Sequence, residues 1–421
     1  MNAYNTPNQT TQLLKQIGHE LRSPAVIIAV SMTLIATLFG WLLIENSFTV
    51  MKGDAVAYWA MAQVPIDPNQ SWTWDGVANS NVPYTYRILI PFIVRNFFHS
   101  SMNGFIFIAI SSLLICNYII FKISKLFTND NFIGFFMVMV FSTNFTIVNP
   151  LVNSALVDLP SFVCILLIAY LFFRYLTNGS NQSVPVAVWI FLSVILVVAA
   201  LIKEWIFFVL PVLFLFFLSD RKPRKAFLLF CCALPAVITH VVVRLVMGFF
   251  TDIQIVSFTL LYERYITSFW AYRSLFATYG AIWMFIPLTL WFSFKNHRSK
   301  PVTYLPFILS LLVAIVMCTI ASDHNRYLFF ISFPFLIPAL SLYFTRYNTP
   351  ISKSTLSVLA LLLLFSRLAI NYRPMVPEGL ALIADRTEST LIVIIVASAI
   401  QIFTGLYYIW AIYAQRHSQE L

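Results

Sequence analysis

Ser23–Ile44 reads SPAVIIAVSMTLIATLFGWLLI, 22 consecutive residues without a charge. Coiled as a helix this stretch is about 33 Å long, enough to cross a hydrocarbon core of about 30 Å. Its apolar residues run on without a period of two, so it is not a strand of a closed barrel, the only other structure that satisfies its backbone in lipid. Similar runs recur along the chain. They predict membrane-spanning helices at 24–45, 103–124, 131–149, 159–176, 185–202, 205–219, 226–250, 273–294, 303–321, 327–345, 353–370 and 390–413. The expectation is an all-α, polytopic transmembrane bundle of about twelve spans, a single domain over 1–421 with a tail at 414–421.

Composition agrees. Sixty per cent of the 421 residues are apolar and 10% are charged, against roughly 25% charged in ordinary soluble domains. Too little polar surface remains to cover a water-facing globule. The net charge of +10 would raise the question of nucleic acid in a soluble protein. Here the positive-inside bias explains it. With the N-terminus inside and loops alternating, Arg221, Lys222, Arg224 and Lys225, and then Lys295, Arg298 and Lys300, fall in short inner loops. An even number of spans returns the C-terminus to the cytoplasm. Cys116, Cys164, Cys231, Cys232 and Cys318 all sit in apolar runs and read as small hydrophobes, with no disulfide framework. The first run is too long for a signal-peptide core, and no small-residue cleavage site follows it.

An ionisable group in or beside a span is costly without a partner, so each is a functional candidate. Most lie at outer ends of spans. The first outer loop, 46–102, is the longest and opens with Gly53-Asp54-Ala55-Val56-Ala57-Tyr58-Trp59. A carboxylate beside flat rings is a base next to a sugar-stacking platform. The competing reading is an interfacial aromatic belt. Trp72 and Trp74 offer further stacking faces. Tyr84 to Arg95 holds an apolar stretch too short to span, which predicts a helix lying in the interface, with Arg87 and Arg95 reaching a phosphate or simply anchoring.

Asp158 precedes the fourth span, where capping and the helix dipole favour it; alternatively it faces Asp54 and shares a proton or a divalent cation with it. Lys203-Glu204 divides two spans, and only 15 uncharged residues follow, Trp205 to Ser219. That is about 22 Å of helix, so the pair is expected in a recessed groove, either bonded to itself or engaging a substrate. His240 and Arg244 share a helix face, with Arg244 snorkelling outward or binding a headgroup. Arg367 has the same two readings. Arg326 begins the tenth span, against the helix dipole, and needs a phosphate or Asp323 to hold it. No Gly-rich phosphate loop, GxSxG, HExxH or paired CxxC is present.

In these elements the chain resembles the GT-C superfamily of integral-membrane glycosyltransferases, particularly bacterial branches acting on cell-surface glycans. The resemblance rests on Gly53-Asp54-x-x-x-Tyr58 in a long first outer loop, Tyr86-Arg87-Ile88-Leu89-Ile90-Pro91, Lys203-Glu204 before a short span, and Arg326-Tyr327-Leu328 with Pro334 on a late helix. It implies an inverting transfer from a polyprenyl-phosphate sugar donor to a glycan, lipid or protein acceptor on the extracytoplasmic side. It also implies a bacterial inner membrane, although an endoplasmic reticulum membrane satisfies the same charge rule. By the same resemblance Asp54 is the base, assisted by Asp158. Lys203 and Arg326 receive the phosphate, with Arg87 and Arg244 behind them. Glu204 orients Lys203, Asp323 supports Arg326, and Tyr58 and Trp59 stack on sugar. Any metal would lie between Asp54 and Asp158. A glycan polymerase or ligase, a transporter or flippase, and a scaffold without catalysis are the rival classes.

Overall fold

A computed structural model describes residues 22–43, 54–63, 87–144, 153–177, 184–246, 301–318 and 324–346, with the strands below and a few single positions between them. The runs expected at 353–370 and 390–413, Asp323 and Arg367 lie outside the described residues, as does most of 273–294. The described chain is almost wholly helical. The helices are α1 (Pro24–Leu43), α2 (Asp54–Gln63), α3 (Leu89–Phe97), α4 (Met102–Lys125), α5 (Asn131–Ser142), α6 (Asp158–Leu171, continued by a π-helical turn Phe172–Leu176), α7 (Val186–Ile202), α8 (Ile206–Ser219), α9 (Pro223–Val246), α10 (Leu305–Cys318) and α11 (His324–Arg346). One two-stranded hairpin, β1 (Trp72–Trp74) with β2 (Val77–Asn79), lies in the first loop. The apolar pattern did not announce it.

Among the described residues, four helices are long and apolar enough to cross a membrane: α4, α6 with its π turn, α9, and α11 over Arg326–Thr345. The apolar helices α1, α5, α7, α8 and α10 are shorter over their described residues. This is a membrane protein by helix length and composition. Local sequence sets several helix ends. Ser101 caps α4 by accepting from the Asn103 amide at 3.2 Å, and Lys122 and Lys125 fill its last turn, where the dipole favours cations. Asp130 caps α5 through the Phe132 amide at 2.8 Å.

Helix α11 is the axis. It packs against α4, α5, α6 and α10, and its middle is almost entirely enclosed. Phe329 and Phe333 stack at 4.6 Å between centroids, Phe141 of α5 lies 6.0 Å from each, and Phe330 meets Phe162 of α6 at 4.7 Å. By contrast α9 turns Phe227, Phe230, Val241 and Leu245 outward, as a lipid-facing helix should. Without a water-driven hydrophobic force between helices, buried polar groups and close packing hold them. Asn117 of α4 donates to Thr33 of α1 at 3.0 Å and accepts from Ser142 of α5 at 2.8 Å. Ser124 and Ser341 tie α4 to α11 at 2.9 Å.

Gly134 lets α5 approach α4 closely. A β-carbon there would sit 2.7 Å from the Phe121 ring. Gly134→Ala is therefore expected to cost about 1–3 kcal/mol, the usual penalty of overpacking. A lower melting temperature in detergent, together with partial recovery by Phe121→Leu, checks this.

Candidate functional site

The site grows from the turn between α7 and α8. Helix α7 stops at Ile202 and Lys203 is extended, its amide still bonded to the Ala199 carbonyl at 2.8 Å. The chain re-enters a helix at once, through Phe207 N–H to Glu204 O at 3.0 Å and Phe208 N–H to Trp205 O at 3.1 Å. Because the backbone changes direction at this point, the adjacent side chains of Lys203 and Glu204 diverge. They do not bond to each other. The ammonium of Lys203 donates to Asp158 at the start of α6. Glu204 accepts two bonds from Arg87, just before α3: Arg87 Nε donates to Oε2 at 2.9 Å and Nη2 to Oε1. This fork-on-carboxylate geometry is the strong form of the interaction.

Each pair has a further member. Arg87 Nη1 donates to the Tyr58 hydroxyl at 2.6 Å. Tyr58, on α2, is fully buried. Asp54 is the first residue of α2 and stands four positions before Tyr58, on the same helix face. Asp158 also faces Arg326, in the first turn of α11, with Oδ2 3.2 Å from Nη1. Lys203 lies over the Trp205 ring, 3.8 Å from the centroid, and that ring packs against Phe330 at 4.6 Å and Tyr327 at 6.0 Å. The buried Trp205 indole N–H has no hydrogen-bond partner among the described residues. Beside the cluster on α9, His240 rests on the Phe207 ring at 4.8 Å, within electrostatic reach of Glu204, Arg87 and Arg244.

The structure therefore brings Tyr58, Arg87, Asp158, Lys203, Glu204 and Arg326 into one buried network, with the start of α2 beside it. Arg326 faces Asp158, while Asp323, its expected partner, lies outside the described residues. Two of the sequence expectations change in detail. Glu204 fixes Arg87 rather than Lys203. Asp158 does not cap its own helix, since the position before it makes no side-chain cap bond; its carboxylate is turned to two cations. Trp59 is half-buried and meets Phe105 at 6.2 Å, so at least one edge of its ring serves helix packing. Arg244 lies one turn after His240 on α9, at the edge of the network. The cation platform under Lys203 was missed. Its only signal was Trp205 directly following Lys203-Glu204.

No group of three His, Cys, Asp or Glu side chains converges among the described residues. Both oxygens of Asp158, the ligand the sequence pointed to, are turned toward Lys203 and Arg326. What the arrangement offers is a set of buried cations: among the described side chains of the network, Arg87, Lys203 and Arg326 stand against Glu204 and Asp158, in surroundings that screen little. Burial pushes the Glu204 carboxyl up, but the Arg87 guanidinium outweighs it and holds the group down at about 2. No family model matches the chain, and no curated protein matches it.

A carboxyl with a lowered native pKa stabilises the fold fully above its unfolded value of about 4.3. That contribution is lost as pH falls from there toward 2. Acid unfolding in detergent should therefore steepen over that window, and Arg87→Gln should shift the midpoint to higher pH. Asp158→Asn should be more severe, because it leaves Lys203 and Arg326 without their anion. Breaking a buried pair costs about 3–5 kcal/mol, read as a large loss of thermal stability that Asp158→Glu partly restores.

Proposed function

We propose that the chain is an inverting membrane glycosyltransferase that moves a sugar from a polyprenyl-phosphate donor to a glycan, lipid or protein acceptor on the extracytoplasmic side of a bacterial inner membrane. In this reading about twelve helices cross the bilayer, both termini are cytoplasmic, and the Asp158 network faces outward. The observation that carries it is the convergence of Arg87, Lys203 and Arg326 on the two carboxylates of that network, with Asp54 one helical turn before Tyr58 in the chain.

The chemistry follows. The acceptor hydroxyl attacks the anomeric carbon as Asp54 takes its proton. The new C–O bond forms opposite the bond to the phosphate oxygen, which breaks, so the anomeric configuration inverts. The departing phosphate gains one negative charge. Cations already in place and already desolvated stabilise that charge without reorganising in the transition state. Lys203 and Arg326 both face Asp158, and in this reading they are the groups that meet the departing phosphate. Arg87 is held more firmly, by two bonds to Glu204 and one to Tyr58, and its role is to position. The Trp205 indole N–H supplies a buried donor beside Lys203. Arg244 stands at the edge of the network, where a second phosphate oxygen or a sugar hydroxyl would reach.

The test is transfer from synthetic short-chain polyprenyl-phosphate sugars to membrane acceptors. Asp54→Asn should lower the rate by about 10²–10⁴-fold, the usual contribution of a general base, with expression and melting temperature unchanged. Arg326→Gln should lower it by about 10²–10³-fold. Full activity in Asp54→Asn with loss in Arg326→Gln would move the reading to a ligase or polymerase that relies on arginine. Full activity in both would end it.

A further inference from the structure

A second charged cluster lies at the other end of the bundle. Along α6 and its π turn, Arg174 is sixteen residues beyond Asp158, about 24 Å of helix. Arg174 is exposed, donates to the Tyr170 hydroxyl, and lies 5.6 Å and 5.4 Å from the centres of the Tyr170 and Tyr175 rings. On the neighbouring α4, Lys122 lies 5.2 Å from the Tyr118 ring. Glu20 accepts from Lys122 at 2.6 Å and from the Tyr118 hydroxyl at 2.7 Å. Tyr118 links the halves, being within electrostatic reach of Arg174 as well. The lysine of α9 closest to this end, Lys225, donates to the Leu176 carbonyl at 2.6 Å. That bond docks the start of α9 against the π turn. From there the exposed Phe227 and Phe230 run along the outside of the bundle.

Simple anchoring at the interface would let long cations splay outward. Here two cations are instead drawn over three phenol rings, beside a continuous apolar track, with Glu20 the acid they meet among the described residues. The π turn that carries Arg174 is a rare distortion, found frequently at functional sites. We propose that this cluster is a binding site for an anionic phospholipid of the leaflet opposite the Asp158 network. Its phosphodiester accepts from Arg174 and Lys122, its headgroup hydroxyls meet the tyrosines, and an acyl chain lies along Phe227 and Phe230.

The site makes no use of the transfer chemistry and is tested apart from it. Full-length protein is purified from nanodiscs of equal phosphatidylglycerol and phosphatidylcholine, and the lipids it retains are measured by native mass spectrometry. Phosphatidylglycerol should be retained over phosphatidylcholine. Arg174→Gln and Lys122→Gln should each weaken retention about fivefold, the worth of one cation at a membrane surface. Glu20→Gln removes the competing acid and should strengthen it, which gives a reading of opposite sign if a cation variant folds poorly. Equal retention of the two lipids, or no response to all three substitutions, overturns the proposal. So does displacement of the lipid by an equal concentration of glycerol phosphate, which would make this a site for small phosphate anions.

Discussion

Everything at the candidate site depends on the way Asp158 is shared. A carboxylate with no exposed surface is tolerable only if cations replace the water it has lost. Lys203 and Arg326 do so. These residues belong to the start of α6, the α7–α8 turn and the start of α11, so one anion fixes three chain segments far apart in sequence. The Arg87–Glu204–Tyr58 set then hangs from the same turn, because Glu204 follows Lys203 and must point elsewhere. Adjacent residues of opposite sign thus sort two distant arginines into different places without bonding to each other.

The bundle around this network is built for lipid rather than water. Its interior is aromatic, with the Phe141–Phe329–Phe333 stack along α11, and its outer face on α9 is equally apolar. What distinguishes inside from outside is shape and hydrogen bonding. Gly134 against Phe121 and the Asn117 bridge are the devices that choose one packing among many apolar alternatives. Such devices matter more here than in a soluble core, since association gains little from apolar area alone.

The ends of the bundle differ in how their charges are arranged. At the Asp158 end the described charges are buried and matched almost one to one, with one more cation than acid among them. At the Arg174 end they lie at the surface, over phenol rings. There the Glu20 carboxyl is held below its ordinary value by bonds from Lys122 and Tyr118, against a small opposing effect of burial. A buried surplus suits a charge that develops during reaction. A surface surplus suits an anion that is already present in the leaflet.

The membrane-spanning class was determined by the sequence alone, because length and continuity of apolar runs are one-dimensional properties that translate directly into bilayer thickness. Most helix bounds followed for the same reason, as Trp205–Ser219 against the observed Ile206–Ser219 shows. The candidate residues were also legible, since a charge beside an apolar run is conspicuous. Their partners were not. Whether Glu204 served Lys203 or Arg87, and whether Asp158 faced a metal, its own helix or two cations, turned on the backbone direction at the α7–α8 turn and on which helix ends lie side by side. Those depend on three-dimensional packing, and no spacing along the chain encodes them. The β1–β2 hairpin was hidden likewise, because three-residue strands are too short to show a period.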